Sequence, residues 1–167
     1  MQLRSFHNKS YLIRTGFSAK LKPMLEPFPS LLTIPIQWSD LDASGYLSQI
    51  RYSRYFEHGR IAYFDQVLKP YLTEERFNMF LSGRGIGPVL KSYNVNYKGR
   101  AEYGDTLIVA NTIQNIKRDR WDHYTLLISE NQEKVVGECT GTIVTYDHDR
   151  KCKADIPVDI QEAYANL

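Results

Sequence analysis

The residues best suited to chemistry stand together in one short segment, where Asp40-Leu-Asp42-Ala-Ser-Gly45 precedes a long stretch without proline. A carboxylate can take a proton from an attacking water molecule, or add to a carbonyl carbon itself. An Asp-x-Asp-x-x-Gly sequence also forms ordinary turns, in which the acid accepts hydrogen bonds from its own loop. Asp42 therefore has two interpretations, a reacting carboxylate or a turn acid, whereas we interpret Asp40 as the residue that orders the loop.

Other catalytic chemistries find no support in the sequence. No Gly-x-Ser-x-Gly segment is present, which removes the usual serine-hydrolase pattern. The repeated glycines Gly83, Gly85 and Gly87 precede a predicted strand instead of joining a strand to a helix, so they indicate a flexible loop and not a nucleotide-binding one. The histidines lack metal-ligand spacing and the two cysteines lack Cys-x-x-Cys spacing, so we predict no metal, no cofactor and reduced thiols.

The segment after the acidic loop has the pattern of one long helix. From Gln49 to Leu68 there is no proline, and apolar residues return at helical spacing until Pro70 ends the run. The apolar positions cover much of the helix circumference, which predicts a helix enclosed on more than one side.

The remaining segments are predicted to be strands. A first strand is expected at Leu31 to Gln37, and the second half of the chain alternates apolar and polar residues with the period of antiparallel strands. These later strands are predicted at Val89–Tyr97, Thr106–Ile116, Trp121–Glu130 and Lys134–Tyr146. Gly137, Cys139 and Gly141 share one face of the last strand and would let the helix approach closely. The predicted class is α+β, with the sheet wrapped around the helix.

The chain of 167 residues fits one folded domain, predicted at residues 31–167 after an N-terminal extension at 1–30. Residues 1–25 carry five basic residues and no acid, as in a mitochondrial transit segment. The alternative is a solvated basic tail. Residues 23–30 contain three prolines and are predicted to form an extended linker. No apolar run is long enough to cross a bilayer, so we expect no membrane span. The expected location is the mitochondrial matrix, with the cytoplasm as the alternative.

The acidic loop and helix together resemble the hotdog-fold acyl-CoA thioesterase family, of the 4-hydroxybenzoyl-CoA thioesterase type. That family has an Asp-x-Asp-x-x-Gly loop leading into a helix with Tyr-x-x-Tyr-x-Glu-x-Gly/Ala-Arg, and this chain has Tyr52, Tyr55, Glu57, Gly59 and Arg60 at related positions. The segments around Gly85–Val89, Tyr97, Gly104–Leu107 and Lys153–Pro157 also resemble the family, so the similarity spans roughly residues 31–160.

The resemblance implies a single hotdog domain that forms homodimers or dimers of dimers and hydrolyses acyl-CoA. It implies that Asp42 acts as general base or nucleophile, and that the backbone N–H near Gln49 stabilises the developing negative charge on the carbonyl oxygen. Gly45, Tyr46, Tyr52 and Glu57 would belong to the substrate site. Glu57 with Arg60 is equally an i,i+3 helix pair, and we favour that structural role. Basic residues such as Lys98, Arg100, Lys117, Arg118 and Arg120 would meet CoA phosphates or, for most of them, form a solvated sheet edge.

Two positions of the loop differ from the family pattern. Tyr46 stands where the family usually has His, and Ser48-Gln49 stands in place of Asn-Asn. Tyr46 has three possible roles: lining the pocket, offering its hydroxyl to the acyl group, or filling the pocket. The last role matches a rival hypothesis, a catalytically inactive hotdog subunit of a larger mitochondrial assembly that contacts RNA through its basic tail. A dehydratase acting on acyl thioesters ranks last, because no suitable His lies in the loop.

Overall fold

Six antiparallel strands form one sheet in the computed structural model, which describes residues 16–165. The order across the sheet is β1-β3-β4-β5-β2, and β6 pairs with the end of β5. The strands are β1 Ser30–Pro35, β2 Ile86–Tyr97, β3 Thr106–Gln114, β4 Arg120–Ser129, β5 Lys134–Asp147 and β6 Cys152–Lys153. The helices are α1 Lys22–Leu25, α2 Gln49–Tyr63, α3 Glu74–Leu81 and α4 Val158–Ala165.

The long strands of the second half confirm the alternation seen in the sequence, with ends that differ from the prediction by at most three residues. The first strand is Ser30–Pro35 and stops before the predicted end at Gln37. Proline has no N–H to continue the ladder, which is consistent with this end point.

The two short helices α3 and α4 were not predicted. The N-cap of α3 is Thr73, whose hydroxyl accepts a hydrogen bond from the Arg76 N–H at 3.2 Å.

The long helix begins at Gln49 as predicted and, after Tyr63, continues as a π-helical turn over Phe64–Leu68. The prediction that it is enclosed on more than one side is wrong for its first half. Buried residues recur there every three or four positions, which makes a single stripe against the sheet. Arg51, Arg54 and Ile61 are exposed on the other side. That side faces solvent in the single chain.

The closest approach of helix to sheet depends on glycines in both. A Cβ atom on Gly59 of α2 would lie 2.5 Å from Asn111 Oδ1 and 2.6 Å from Val109 Cγ1, so no larger residue fits there without movement. A Cβ on Gly137 of β5 would lie 2.9 Å from the Tyr52 ring, which confirms the predicted close approach of the helix at Gly137. A Cβ on Gly141 would meet the ring of Tyr93 on the neighbouring strand instead of the helix.

The segment before the first strand is not the extended linker that the prolines predicted. It contains α1, and its Leu21 and Leu25 are buried against Ile108 and Ile128. These two sheet residues point away from α2, so the segment covers the outer face of the sheet. Pro23 lies in the first turn of α1, where its missing N–H leaves no hydrogen bond unmade. Prolines there are compatible with a helix as well as with a linker.

A buried polar group lies in the core on the α2 side of the sheet. His123 of β4 is 4% exposed, with its Nε2 3.4 Å from Asn111 Oδ1 and its ring edge-on to Tyr63. Asn111 Oδ1 also accepts a hydrogen bond from the Thr125 hydroxyl at 2.9 Å. Burial, with a smaller contribution from the positive charge of Arg60, lowers the pKa of His123 to about 3. The imidazole is therefore neutral in the folded protein near pH 7.

We expect His123 to make the free energy of unfolding fall with acidification. The unfolded chain binds a proton near pH 6.5, whereas the folded chain does so only near pH 3. Stability from this group is complete above the unfolded pKa and falls by up to about 1.4 kcal/mol per pH unit between these two values. Urea unfolding of wild type and His123→Leu at pH 7, 6 and 5 tests this. The free energy of unfolding of wild type minus that of His123→Leu should fall from pH 7 to pH 5. A value that does not change with pH would contradict the assignment.

Candidate active site

The loop that precedes α2 is a closed turn held by its own backbone. The Asp42 N–H donates to the Tyr46 carbonyl at 2.8 Å, and the Gly45 N–H donates to the Asp42 carbonyl at 3.0 Å. Gly45 has a φ of +80°, a conformation that glycine adopts without strain. Leu41 and Leu47 form a bridge across the base of the turn. The Asp-x-Asp-x-x-Gly sequence thus builds a defined loop that runs directly into the helix.

Asp40 connects this loop to α2 from inside the protein. Its side chain is 1% exposed, and Oδ2 accepts a hydrogen bond from the Tyr55 hydroxyl at 2.7 Å. Arg54 Nη1 donates to Oδ1 at 3.2 Å, and Arg51 Nε lies 3.9 Å from the same oxygen. Burial and the bond to Asp40 together raise the pKa of Tyr55. The prediction that Asp40 orders the loop is confirmed.

Asp42 lies at the exposed turn of the same loop. Its Oδ1 accepts a hydrogen bond from the Ser44 N–H at 2.8 Å and a longer one from the Tyr46 N–H at 3.3 Å. Both bonds use Oδ1, so a carboxylate held in this way can still present Oδ2 to a second group. The turn role considered from the sequence is therefore real, and it fixes the orientation of the carboxylate that a catalytic role would require.

The start of α2 offers backbone N–H groups beside this loop. Ser48 is the N-cap residue, and its side chain makes no hydrogen bond to the first turn. The Ser48 N–H donates to the Asp40 carbonyl at 2.9 Å, which fixes the end of the loop against the helix. The first N–H groups of a helix, here those of Gln49 and Ile50, have no acceptor within the helix and lie at the positive end of its dipole. Such amides can stabilise a developing oxyanion.

Tyr46, the residue at the usual His position, packs under a cation. The Arg100 guanidinium lies 4.7 Å from the centre of the Tyr46 ring, and its Nη1 donates to the Tyr46 hydroxyl at 3.3 Å. Three of the other predicted basic residues pair with carboxylates: Lys98 with Glu138, Arg118 with Asp155 and Arg120 with Asp119. Arg100 is thus the member of that group that the structure brings to the loop.

Two further predicted site residues have different surroundings. Tyr52 is buried, its hydroxyl donates to the Gly99 carbonyl at 3.2 Å, and its ring meets Tyr97 edge-on. Glu57 is exposed and pairs with Arg60 at 3.5 Å, which is the helix pair favoured from the sequence. Gly45 and Tyr46 therefore lie in the loop beside Asp42, whereas Tyr52 is part of the core and Glu57 lies about two turns along the helix from Gln49.

Sequence comparison connects this architecture to a known group of proteins. The sequence profile of the thioesterase-like superfamily matches residues 36–164, which include the acidic loop, α2 and the sheet from β2 onward. The chain belongs to the thioesterase-like superfamily. Comparison with curated proteins gives no match.

Solved structures confirm the hotdog fold predicted from the sequence. A 1,4-dihydroxy-2-naphthoyl-CoA thioesterase from Synechocystis superposes with a TM-score of 0.69 at 16% identity, covering 83% of this chain and 96% of that one. YbaW, a probable thioesterase from Escherichia coli, gives 0.67 at 18% identity, with coverage of 81% and 96%. A Thermus thermophilus thioesterase in complex with coenzyme A and zinc gives 0.66 at 20% identity, with coverage of 83% and 93%.

Metal sites and membrane-spanning helices were considered in the described part of the structure. Among residues 16–165, no group of three or more His, Cys, Asp or Glu side chains is placed to hold a metal ion. None of the helices in the same range is long and apolar enough to cross a membrane.

The different surroundings of Asp40 and Asp42 predict different effects on stability. Asp40→Asn weakens the buried hydrogen bond from Tyr55 and the contacts with the half-exposed Arg54 and Arg51, and we expect the free energy of unfolding to fall by about 2 kcal/mol. Asp42→Asn should change it by less than about 1 kcal/mol, because an amide oxygen can accept the same two loop hydrogen bonds. Urea unfolding of the two variants beside wild type measures both values. Equal losses would contradict this division of roles.

Proposed function

We propose that this protein hydrolyses acyl-CoA thioesters at a site formed by the Asp42 loop and the first turn of α2. The observation that carries the proposal is the placement of an oriented, exposed carboxylate directly before an uncapped helix start. Membership of the thioesterase-like superfamily supports the reaction class. The site residues are our own assignment.

In the water-mediated form of the reaction, Asp42 takes a proton from water as the water oxygen adds to the thioester carbonyl carbon. The carbonyl oxygen becomes an oxyanion that accepts hydrogen bonds from the N–H groups of Gln49 and Ile50. The intermediate then expels the CoA thiolate, which receives the proton from Asp42. In the nucleophilic form, Asp42 attacks the carbonyl itself, and water hydrolyses the resulting anhydride. Both forms require the same ionised side chain.

Tyr46 and Arg100 form the wall of this site next to the loop. The hydroxyl of Tyr46 accepts a hydrogen bond from Arg100, whose guanidinium lies over the ring, and the backbone of Tyr46 forms a bridge with Glu102. We assign Tyr46 to the substrate-facing surface, with Arg100 fixing its ring. Tyr52 supports the helix start from the core, and Glu57 is assigned to the helix pair instead of the substrate.

The catalytic role of Asp42 can be tested with a single substitution. We expect Asp42→Asn to lower kcat by about 10²- to 10⁴-fold, because the amide keeps the loop bonds but cannot accept the proton or attack. Thiol release from a panel of aliphatic and aromatic acyl-CoA esters measures this, with wild type and Ser53→Ala, an exposed change on the same helix, as references. Full activity in Asp42→Asn would overturn the mechanism.

Absence of turnover by wild type on every ester would favour the rival hypothesis of an inactive hotdog subunit. That hypothesis and the mitochondrial location depend on the basic N-terminus, most of which lies outside the described residues. Both stay predictions. Phe17, Leu21 and Leu25 pack on the sheet, so we expect any processed form to retain the segment that begins at Phe17.

We further propose that the active unit is a homodimer joined through β2. Within the described residues β5 is the only strand paired with β2, so one edge of a twelve-residue strand is open. The opposite edge strand, β1, is shorter, and the Gln66 side chain donates to its Leu31 carbonyl at 3.1 Å. Ile50 and Tyr97 expose large apolar surfaces near the start of α2, which a second copy would cover.

Sedimentation of the full chain tests the dimer. We expect a mass about twice the 19.4 kDa of one chain at micromolar concentration, also at raised salt, because strand pairing and apolar contact are weakly screened. A species that remains at the monomer mass while still hydrolysing acyl-CoA would refute the requirement for a dimer without affecting the role of Asp42.

A further inference from the structure

A pocket of about 280 Å³, open on one side, lies beside the second half of α2 and is bordered by α3, the start of β2 and β5. The lining residues include Arg60, Phe64, Phe80, Leu90, Ile143 and His148. Arg60 lies eleven residues beyond Gln49, so this wall is about 16 Å along the helix from the proposed active site. The cavity is therefore separate from the Asp42 loop.

Arg60 brings a largely buried positive charge to the wall of this cavity. Its side chain is 13% exposed, whereas its ion-pair partner Glu57 is 62% exposed at 3.5 Å. Its Nη1 donates to the neutral Tyr93 hydroxyl at 2.5 Å. A buried guanidinium gains most from a carboxylate that is equally desolvated, and Glu57 lies mainly in water.

The positive charge of Arg60 contributes to the pKa shifts of two buried groups, Cys139 and His123. Burial raises the pKa of Cys139 to about 12, and the positive charge of Arg60 opposes that rise. The same charge adds to burial in lowering the pKa of His123.

The other walls of the cavity suit an apolar group. Phe64 and Phe80 meet edge-on at 5.6 Å, and Leu90 and Ile143 face the same space from neighbouring strands. His148 adds one further polar side chain. Apolar walls with a few polar groups are typical of small-molecule sites. A volume near 280 Å³ equals that of about nine water molecules, which limits the occupant to about ten non-hydrogen atoms.

We propose that this cavity binds a small amphipathic carboxylate, with its apolar body against Phe64, Phe80 and Leu90 and its carboxylate on Arg60. The ligand class is a free medium-chain or aromatic acid. This binding requires neither Asp42 nor the proposed hydrolysis.

Calorimetric titration of the full chain with octanoate and with octanol tests the proposal, because the two probes have the same chain and differ in charge. We expect octanoate to bind wild type about tenfold more tightly than octanol, from its charged hydrogen bonds to Arg60. Arg60→Met should remove that preference, and Arg60→Lys should retain part of it. Equal affinity of wild type for both probes, or no binding of octanoate at millimolar concentration, would overturn the proposal.

Two more variants locate the binding. Leu90→Trp places a larger side chain at the cavity wall and should weaken both probes, whereas Lys69→Gln, on the exposed side of the chain that follows α2, should leave both affinities unchanged. If Arg60→Met does not fold, the comparison of the two probes on wild type and Leu90→Trp still decides. Undiminished octanoate binding in Leu90→Trp would place the acid elsewhere and refute this site.

Discussion

The buried carboxylate of Asp40 determines where the rest of the proposed active site lies. A fully desolvated charge is tolerated only when its oxygens are satisfied, and here Tyr55 satisfies one oxygen and Arg54 the other. Both partners lie on α2, so the loop cannot move relative to the helix without leaving that charge unpaired. The exposed Asp42 carboxylate and the backbone N–H of Gln49 are thereby held at a fixed distance and orientation, although neither residue is itself buried.

The position of the helix depends in turn on its fit against the sheet. Gly59 lets α2 approach Val109 and Asn111 of β3 closely, and Gly137 of β5 leaves room for the ring of Tyr52. Tyr55 lies between Tyr52 and Gly59 in the same buried stripe of α2. The packing of the helix on the sheet therefore also fixes the position of the Tyr55 hydroxyl that binds Asp40. Small residues in the core therefore control the geometry of the loop, through the helix that connects them.

The sequence was informative where a local rule and the tertiary structure agree. The span of α2, the four long strands and the ordering role of Asp40 follow from periodicity and turn chemistry, and they are confirmed. The packing of the α1 segment on the outer face of the sheet was not predicted, because prolines fit the first turn of a helix as well as a linker. The helix is favoured by contacts with the sheet, which lie far away in the sequence. The enclosure of α2 was overestimated because the apolar residues were counted over the whole span to Leu68. Those up to Tyr63 form one stripe, and Phe64, Val67 and Leu68 are buried in the π-helical turn beyond it.

Arg60 shows the limit of sequence reasoning most clearly. Glu57 and Arg60 have the spacing of an ordinary surface pair, and that pair does form. Its two members nevertheless lie in different environments, because Arg60 points toward Tyr93 and the cavity while Glu57 points to solvent. Asp40, in the loop before α2, and Arg60, on α2 itself, are thus two desolvated charges with different surroundings. The buried Tyr55 hydroxyl donates a hydrogen bond to the first. Within the described residues the carboxylate paired with the second is the 62% exposed Glu57, and the proposed ligand would add a carboxylate on the buried side.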